Sequence, residues 1–307
     1  MATTYHLAVD ARPLAGTPSG FTTYLESIIV PLLKAKWEVT LLTNRTLRTD
    51  YGFVRDCRQE VFGPTAAWRW EQVALLAKLR RSRADVYFAP TNRAIPLRSV
   101  APTRTVLALL DVIPLKFPRY YLSASRFHFV RRELAAELSS VARADALITI
   151  SASSAADIER YFRRQATPLL IRLPERPVES ARKQDQFVYI GGVDPRKRID
   201  NLIRAFARFA ADHRDFKLVL IGRGYERFLP LCSELGITAQ VELTGFVDDH
   251  DKMRLIAQSR ALVYPSLYEG YGLAIAESLQ AGTAVIAGRG GAQAEIGGDA
   301  ALYITPT

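Results

Sequence analysis

"YEGYGLAIAE", residues 268–277, sets two glutamates eight positions apart around a tyrosine and two glycines. Just before it stands "RALVYPS" (260–266), a run of strand-forming residues, and "LAIAESLQAG" follows with a helical apolar pattern closed by Gly282. The stretch therefore reads strand, sharp turn, helix. A helix that opens on a glycine turn presents backbone N–H groups without intrahelical partners at the positive end of its dipole. Glycine lets a ligand come close to that main chain, a combination suited to a diphosphate. Glu269 is expected at the lip of the turn and Glu277 one turn into the helix, both directed at one polyhydroxylated ligand.

The same strand–turn–helix order recurs outward in both directions. Strand-like runs occur at 5–10, 38–43, 85–90, 104–110 and 145–150, with amphipathic segments near 20–35, 66–83, 125–143 and 153–163 between them. The polar, proline-bearing segment "PERPVESARKQD" (174–185) then interrupts the pattern. A second series begins at "FVYIGG" (187–192) and continues through "KLVLIG" (217–222), "QVELTG" (240–245), the "ALVYPS" strand and "TAVIAG" (283–288). Alternation of this kind predicts parallel sheets with helices on both faces. Two doubly wound domains are expected, 1–174 and 186–307, joined by a linker at 175–185, with the ligand at facing strand ends. The chain stops at "ALYITPT", after a strand-like run and without a closing helix, which suggests a truncated C-terminus.

Composition narrows the function classes. The chain has 307 residues, of which 49% are hydrophobic and 23% charged, an ordinary globular balance. No apolar run reaches the eighteen or so residues that a spanning helix needs, and no secretory signal is apparent at the N-terminus. Cys57 and Cys232 stand alone without metal-ligand spacing, so a reducing cytoplasm is expected. The net charge of +10 is uneven: residues 1–185 hold 28 Lys and Arg against 17 Asp and Glu, and residues 186–307 hold 13 against 14. Such asymmetry points the first half toward an anionic partner: a lipid headgroup, a diphosphate-linked acceptor or nucleic acid.

Two further stretches carry chemistry. In "YIGGVDPRKRIDNLIRAF" (189–206) a strand ends in two glycines, and Arg196, Lys197 and Arg198 precede a helix. Arginine offers planar bidentate contacts to phosphate and lysine a compact charge. "PLAGTPSGFTTYLESI" (13–28) is a Gly/Pro/Ser loop that puts Ser19 and Gly20 at the start of another helix.

Together these stretches resemble the family-4 retaining glycosyltransferases of GT-B fold, over nearly the whole chain. The specific element is the glutamate pair with seven residues between, Glu269 and Glu277, inside "PSLYEGYGLAIAESLQAGTAVIAGRGGAQAEIGGDAALYI". "SGFTTYLESI", "DVYFAPTNRAIPL" and "DVIPLKFPRYY" are similar to the family's N-terminal half. The resemblance implies a GT-B fold and a hexosyl transfer from a nucleotide-sugar to a hydroxyl acceptor, with retention, in surface polysaccharide or glycolipid synthesis. Arg196 and Lys197 would bind the donor diphosphate. Glu269 would hold the donor sugar, with Gly270 and the amides of Tyr271, Gly272 and Leu273, and Glu277 the ribose. Gly245, Phe246 and Val247 would border the base, and Gly20 would approach the phosphates. No cofactor or metal is implied beyond the donor, and no nucleic acid. The flavour is that of mannosyl- and rhamnosyltransferases, which makes GDP-mannose the first donor to try. The acceptor would be a saccharide or a lipid-linked one, with peripheral contact at an anionic membrane. A nucleotide-sugar 2-epimerase and a non-catalytic nucleotide-sugar binder are the alternatives.

One departure bears on activity. The family has His-Asp where this chain has Leu110 and Asp111, and a leucine can neither bond a hydroxyl nor take a proton. Asp111 and the main chain are left to serve there. Asp248, Asp249 and Asp251 read as a solvated loop rather than a metal site. Trp68 and Trp70 in "AAWRWEQ" read as a packed feature in preference to a membrane-surface helix, and His128 as part of an amphipathic surface.

Overall fold

The computed structural model describes residues 5–16, 20–48, 51–121, 127–173 and 181–306; Ser19 and the side chain of His128 lie outside the described residues. The chain divides into two compact units, Met1–Pro174 and Glu175–Thr307.

The N-terminal unit is built on seven parallel strands: β1 (His6–Asp10), β2 (Glu38–Thr43), β3 (Arg58–Val61), β4 (Val86–Ala89), β5 (Arg104–Ala108), β6 (Ala146–Thr149) and β7 (Thr167–Pro168). Their order is β3-β2-β1-β4-β5-β6-β7. Strands of a parallel sheet are covered on both faces, so the central ones read as apolar runs. β1 "HLAVD" and β2 "EVTLLT" are buried along almost their whole length, whereas the edge strand β3 "RQEV" is mostly exposed. The 66–83 segment is one helical stretch with a π-helical turn at Trp70–Ala74. There Trp70 and Glu71 are fully buried, while Trp68 stays exposed.

The C-terminal unit holds six parallel strands: β8 (Gln186–Ile190), β9 (Lys217–Ile221), β10 (Val241–Gly245), β11 (Ala261–Tyr264), β12 (Ala284–Ala287) and β13 (Ala301–Tyr303), in the order β10-β9-β8-β11-β12-β13. The helix Ile199–Ala210 buries Ile199, Leu202, Ile203, Phe206 and Ala210, one stripe at helical spacing against the sheet. Part of the 175–185 segment belongs to this unit: Lys183 donates to the Ser259 carbonyl and to Thr283 Oγ1, both at 2.9 Å.

Strand order reverses at two places. β1 lies between β2 and β4, and β8 between β9 and β11. At such a switch point the chains leave neighbouring strands in opposite directions and open a crevice at the carboxyl ends. The turns after β8 and β11 are those carrying Arg196, Lys197 and Glu269. No described helix is long and apolar enough to cross a membrane.

Candidate active site

Strand pairing brings "GGVDPRK" and "PSLYEGYG" together, because β8 and β11 are neighbours, with Phe187 opposite Ala261 and Val188 opposite Leu262. Asp194 caps the short turn Pro195–Lys197 by accepting from the Arg196 amide at 3.0 Å. The turn is then tied to the other loop by Leu267 N donating to the Arg196 carbonyl at 2.8 Å. Both cations are thereby aimed at the end of β11. Arg196 Nη1 lies 2.9 Å and Lys197 Nζ 2.6 Å from Glu269 Oε1. Arg196 also donates to the Tyr268 carbonyl, and Lys197 to the Tyr264 hydroxyl at 2.8 Å.

This cluster is interior. Glu269 is 6% and Lys197 8% exposed, so Glu269 sits behind the turn instead of at its lip. Burial alone would raise the Glu269 carboxyl, but the charges of Lys197 and Arg196 outweigh it and hold the group below its ordinary value. Arg196 Nε also lies 3.7 Å from Asp194 Oδ1, so the turn gathers two cations and two carboxylates, and Arg196 and Lys197 are the groups that can meet an anionic ligand.

The helix Leu273–Gln280 starts at Gly272, whose φ of 107° is closed to most side chains, and Gly272 O accepts from Ile275 and Ala276. Glu277, in the second turn, is buried and has a partner of its own: its Oε1 takes a 2.6 Å ion pair from Lys252, which also reaches Asp249 at 3.0 Å. Burial disfavours the Lys252 cation, yet Glu277 and Asp249 keep its pKa raised. The two glutamates thus serve separate cation partners. The acids at 248–251 are helix-terminal groups, Asp248 capping the helix Asp249–Gln258 through the Asp251 amide.

Residue-level reading of the sequence missed the support of the glutamate loop. Glu269 N donates to the Gly290 carbonyl at 3.2 Å, and Glu269 O accepts from Ala292 at 2.9 Å. A Cβ at Gly290 would run into the Leu267 carbonyl, and one at Gly291 into that of Glu269. The fully buried Gln293 donates to the carbonyls of Ser266 (2.8 Å) and Gly290 (3.0 Å), latching both loops. The signal was the cluster "AGRGG" after β12, the strand next to β11.

The remaining expected residues are dispersed. Gly245, at φ 69°, ends β10, two strands from β8; Phe246 is exposed, with the Arg223 guanidinium 5.3 Å from its ring centre, and Val247 is half-buried. Gly270 and Tyr271 are buried beside Glu269. Gly20 opens the helix Gly20–Lys34 in the other unit.

In the N-terminal unit the strand ends carry a chain of ion pairs that the sequence did not announce. Arg12 pairs with Asp10 (2.6 Å) and Glu71 (3.0 Å), and Arg93 with Glu71 (3.0 Å) and Glu133 (2.5 Å). The Arg12 guanidinium also lies 4.1 Å from the Trp70 ring centre, which gives "WEQ" its packing role. At the end of β5, Asn92 Oδ1 accepts from the Leu110 amide at 2.8 Å, and Asp111 Oδ1 from Ile113 at 3.0 Å.

Glu137, on the helix Phe127–Arg143, faces this region. Burial, reinforced by the charges of Asp111 and Glu133 and opposed by a hydrogen bond from Asn92, pushes its pKa up from 4.5 to about 7. The folded state therefore holds this proton more tightly than the unfolded chain. Its contribution to stability is complete below about pH 4.5 and is lost as the pH rises through about 7. Relative to Glu137→Gln, the natural chain is expected to lose about 2–3 kcal/mol across that window. Urea unfolding of both at pH 4.5 and 8 measures it; a difference independent of pH would refute the shift.

Comparison with known proteins adds the following. Residues 174–306 match the profile of the family described as glycosyl transferases group 1. The chain is 29% identical over 248 residues to the O-antigen chain mannosyltransferase B of Escherichia coli, a match covering 74% of this chain and 63% of that relative. It thus aligns with less than two thirds of the relative's length. Among solved structures, sucrose-phosphate synthase from Thermosynechococcus elongatus superposes with a TM-score of 0.73 at 17% identity, over 99% of this chain and 86% of the other. WaaG, a glycosyltransferase involved in lipopolysaccharide biosynthesis, does so with 0.72 at 15% identity, over 97% and 86%. At these identities the likeness is one of fold.

Proposed function

We propose that the chain, whose residues 174–306 match the group 1 glycosyltransferases and whose two parallel-sheet units follow a GT-B architecture, moves a hexosyl group from a nucleotide-sugar to a hydroxyl acceptor. The anomeric configuration is retained, and the product enters a surface polysaccharide or glycolipid. The observation that carries this reading is the buried cluster of Arg196, Lys197 and Glu269 at the switch point of the C-terminal sheet. As the bond from the anomeric carbon to the diphosphate oxygen breaks, negative charge grows on the leaving group. Arg196 and Lys197 stabilise it in a water-poor site, where such interactions are strong. The acceptor oxygen bonds to the anomeric carbon from the same face, and its proton passes to the leaving phosphate. Glu269 fixes both cations and accepts from donor-sugar hydroxyls, and Glu277 accepts from the ribose. The first turn of the helix Leu273–Gln280 receives the distal phosphate.

GDP-mannose is the proposed donor, since the E. coli relative is named a mannosyltransferase. No metal or cofactor is proposed. The N-terminal unit is proposed to hold the acceptor, and its basic excess to favour an anionic membrane face. A thermal-shift screen with GDP-, UDP- and dTDP-sugars is expected to raise the melting temperature most with GDP-mannose, and NMR of the first product to report the α anomer. Consumption of no nucleotide-sugar, or an inverted product, would sink the reading. The same preparation should sediment with phosphatidylglycerol vesicles at low salt and be released at high salt.

Leu110 favours a second reading. It leaves the place of the family histidine without a proton-carrying group, as in a non-catalytic nucleotide-sugar binder. A melting shift without turnover would select it.

A further inference from the structure

Lys252 stands at the end of the first turn of the helix Asp249–Gln258, which the segment 246–248 joins to β10. Its Nζ donates to Glu277 Oε1 at 2.6 Å and to Asp249 Oδ1 at 3.0 Å. Asp248 caps the helix through the Asp251 amide, so the turn that carries the lysine is held in place. An ammonium group has three N–H donors. Two are engaged, and the third has no acceptor among the described residues. The Lys252 side chain is 16% exposed and that of Glu277 8%, so the pair is shielded without being sealed.

A pair of this kind adds little net stability, because taking both charges out of water offsets their attraction. Burial lowers and the two carboxylates raise the Lys252 pKa; the carboxylates prevail, and the lysine stays charged. A charged donor beside a charged acceptor suits a vicinal diol. One hydroxyl gives its proton to the carboxylate, and its neighbour takes an N–H from the ammonium. Glu277 lies four residues beyond Leu273, about 6 Å along the helix axis, the span of one sugar ring from a phosphate seated on the first turn. The same ion pair ties the helix that follows Phe246 and Val247 to the helix that carries Glu277.

We propose that Lys252 sets the sugar specificity at the nucleotide end of this site: its third N–H donates to one hydroxyl of a vicinal diol while Glu277 accepts from the other, so that ribonucleotides bind and 2′-deoxyribonucleotides are rejected. On the glycosyltransferase reading, on which this role rests, the diol is the ribose of the donor. A 2′-deoxy sugar leaves one member of a shielded charged pair without its hydroxyl. A site built to bond a hydroxyl discriminates sharply against an analogue that lacks it. Asp249 acts through the lysine, holding the ammonium beside Glu277.

The test is a calorimetric titration of the full chain with GDP and UDP, each beside its 2′-deoxy counterpart. For whichever base binds, the ribose form is expected to bind at least about tenfold more tightly than the deoxy form. Lys252→Met keeps the stem and removes the donors. It should weaken the ribose form about tenfold and bring the two sugars within about threefold of each other. A lysine that only held the two helices together would, once removed, weaken both sugars alike and leave their ratio where it was. If Lys252→Met does not fold, the lysine is removed in the Glu277→Gln chain, where it leaves no buried carboxylate without a cation, and the ratio should again fall. Equal affinity for ribose and deoxyribose forms in the natural chain overturns the proposal without any variant, as does a ratio that survives loss of the lysine. Turnover of GDP-mannose is followed separately. Transfer without ribose preference defeats this role and leaves the transferase reading. A ribose preference that Lys252→Met abolishes, in a chain that turns over no nucleotide-sugar, does the reverse, and a chain that binds none of the four nucleotides loses both.

Discussion

Glu269→Gln is expected to reduce glycosyl transfer by about 10²–10³-fold and to destabilise the C-terminal unit by about 3 kcal/mol. The stability loss follows from burial. Lys197 and Arg196 each lie within 3 Å of one carboxylate oxygen, so the amide takes that countercharge from the interior Lys197 and leaves Arg196 with Asp194 at 3.7 Å. Lys197, whose pKa burial already lowers, relieves part of the cost by shedding its proton. The loss of transfer has another origin: an amide cannot hold both cations and accept from a sugar hydroxyl with a full negative charge. Affinity for the free nucleoside diphosphate should change only a few-fold, because that ligand lacks the transferred hexose that Glu269 contacts. The two effects separate in Glu269→Gln with Lys197→Met, which removes one buried cation along with the carboxylate and leaves Arg196 paired with Asp194. Urea unfolding should show recovered stability, and the transfer assay should show no recovered rate. Full transfer by Glu269→Gln would remove this residue from the donor site.

Much of this site could be read before any coordinates. The β8 and β11 turns announce themselves by glycines after apolar runs, and a parallel alternating order puts such turns on one edge of one sheet. What could not be read depends on contacts between distant positions. Lys252 sits in the polar stretch "DDHDK", where nothing marks one lysine as the partner of a glutamate 25 residues on. Glu71 likewise joins Arg12 and Arg93 only once β1, β4 and the 66–83 helix are packed together. Strand β3 escaped notice because an edge strand has one covered side, and "RQEV" carries no apolar run to betray it. β7, two residues long, has no room for a pattern. Glu269 was expected at a lip because a glutamate in a glycine turn is ordinarily solvated. Its burial requires the two cations that β8 delivers.

Replacing Arg196 and Lys197 together by alanine is expected to weaken binding of the nucleoside diphosphate by about 2–4 kcal/mol, the scale of losing charge-assisted phosphate contacts in a shielded site. The geometry supports a joint effect. Both cations lie on one turn, both are held by Glu269, and neither is free to swing away while Leu267 N holds the Arg196 carbonyl. With both removed, Glu269 is buried without a cation beside it and its pKa must rise, so an anion approaching the site meets a carboxyl group in place of two positive charges. Arg260→Ala is the control: that exposed arginine pairs only with the exposed Asp185 among the described residues, and its loss should leave binding unchanged. The deciding measurement is a calorimetric titration of GDP, with UDP alongside, into the full chain, the Arg196→Ala/Lys197→Ala chain and the Arg260→Ala chain. Saturable binding that the double substitution weakens about 30-fold or more, and the control leaves intact, is the predicted result; equal affinity in all three would contradict the assignment of the donor diphosphate to this cluster.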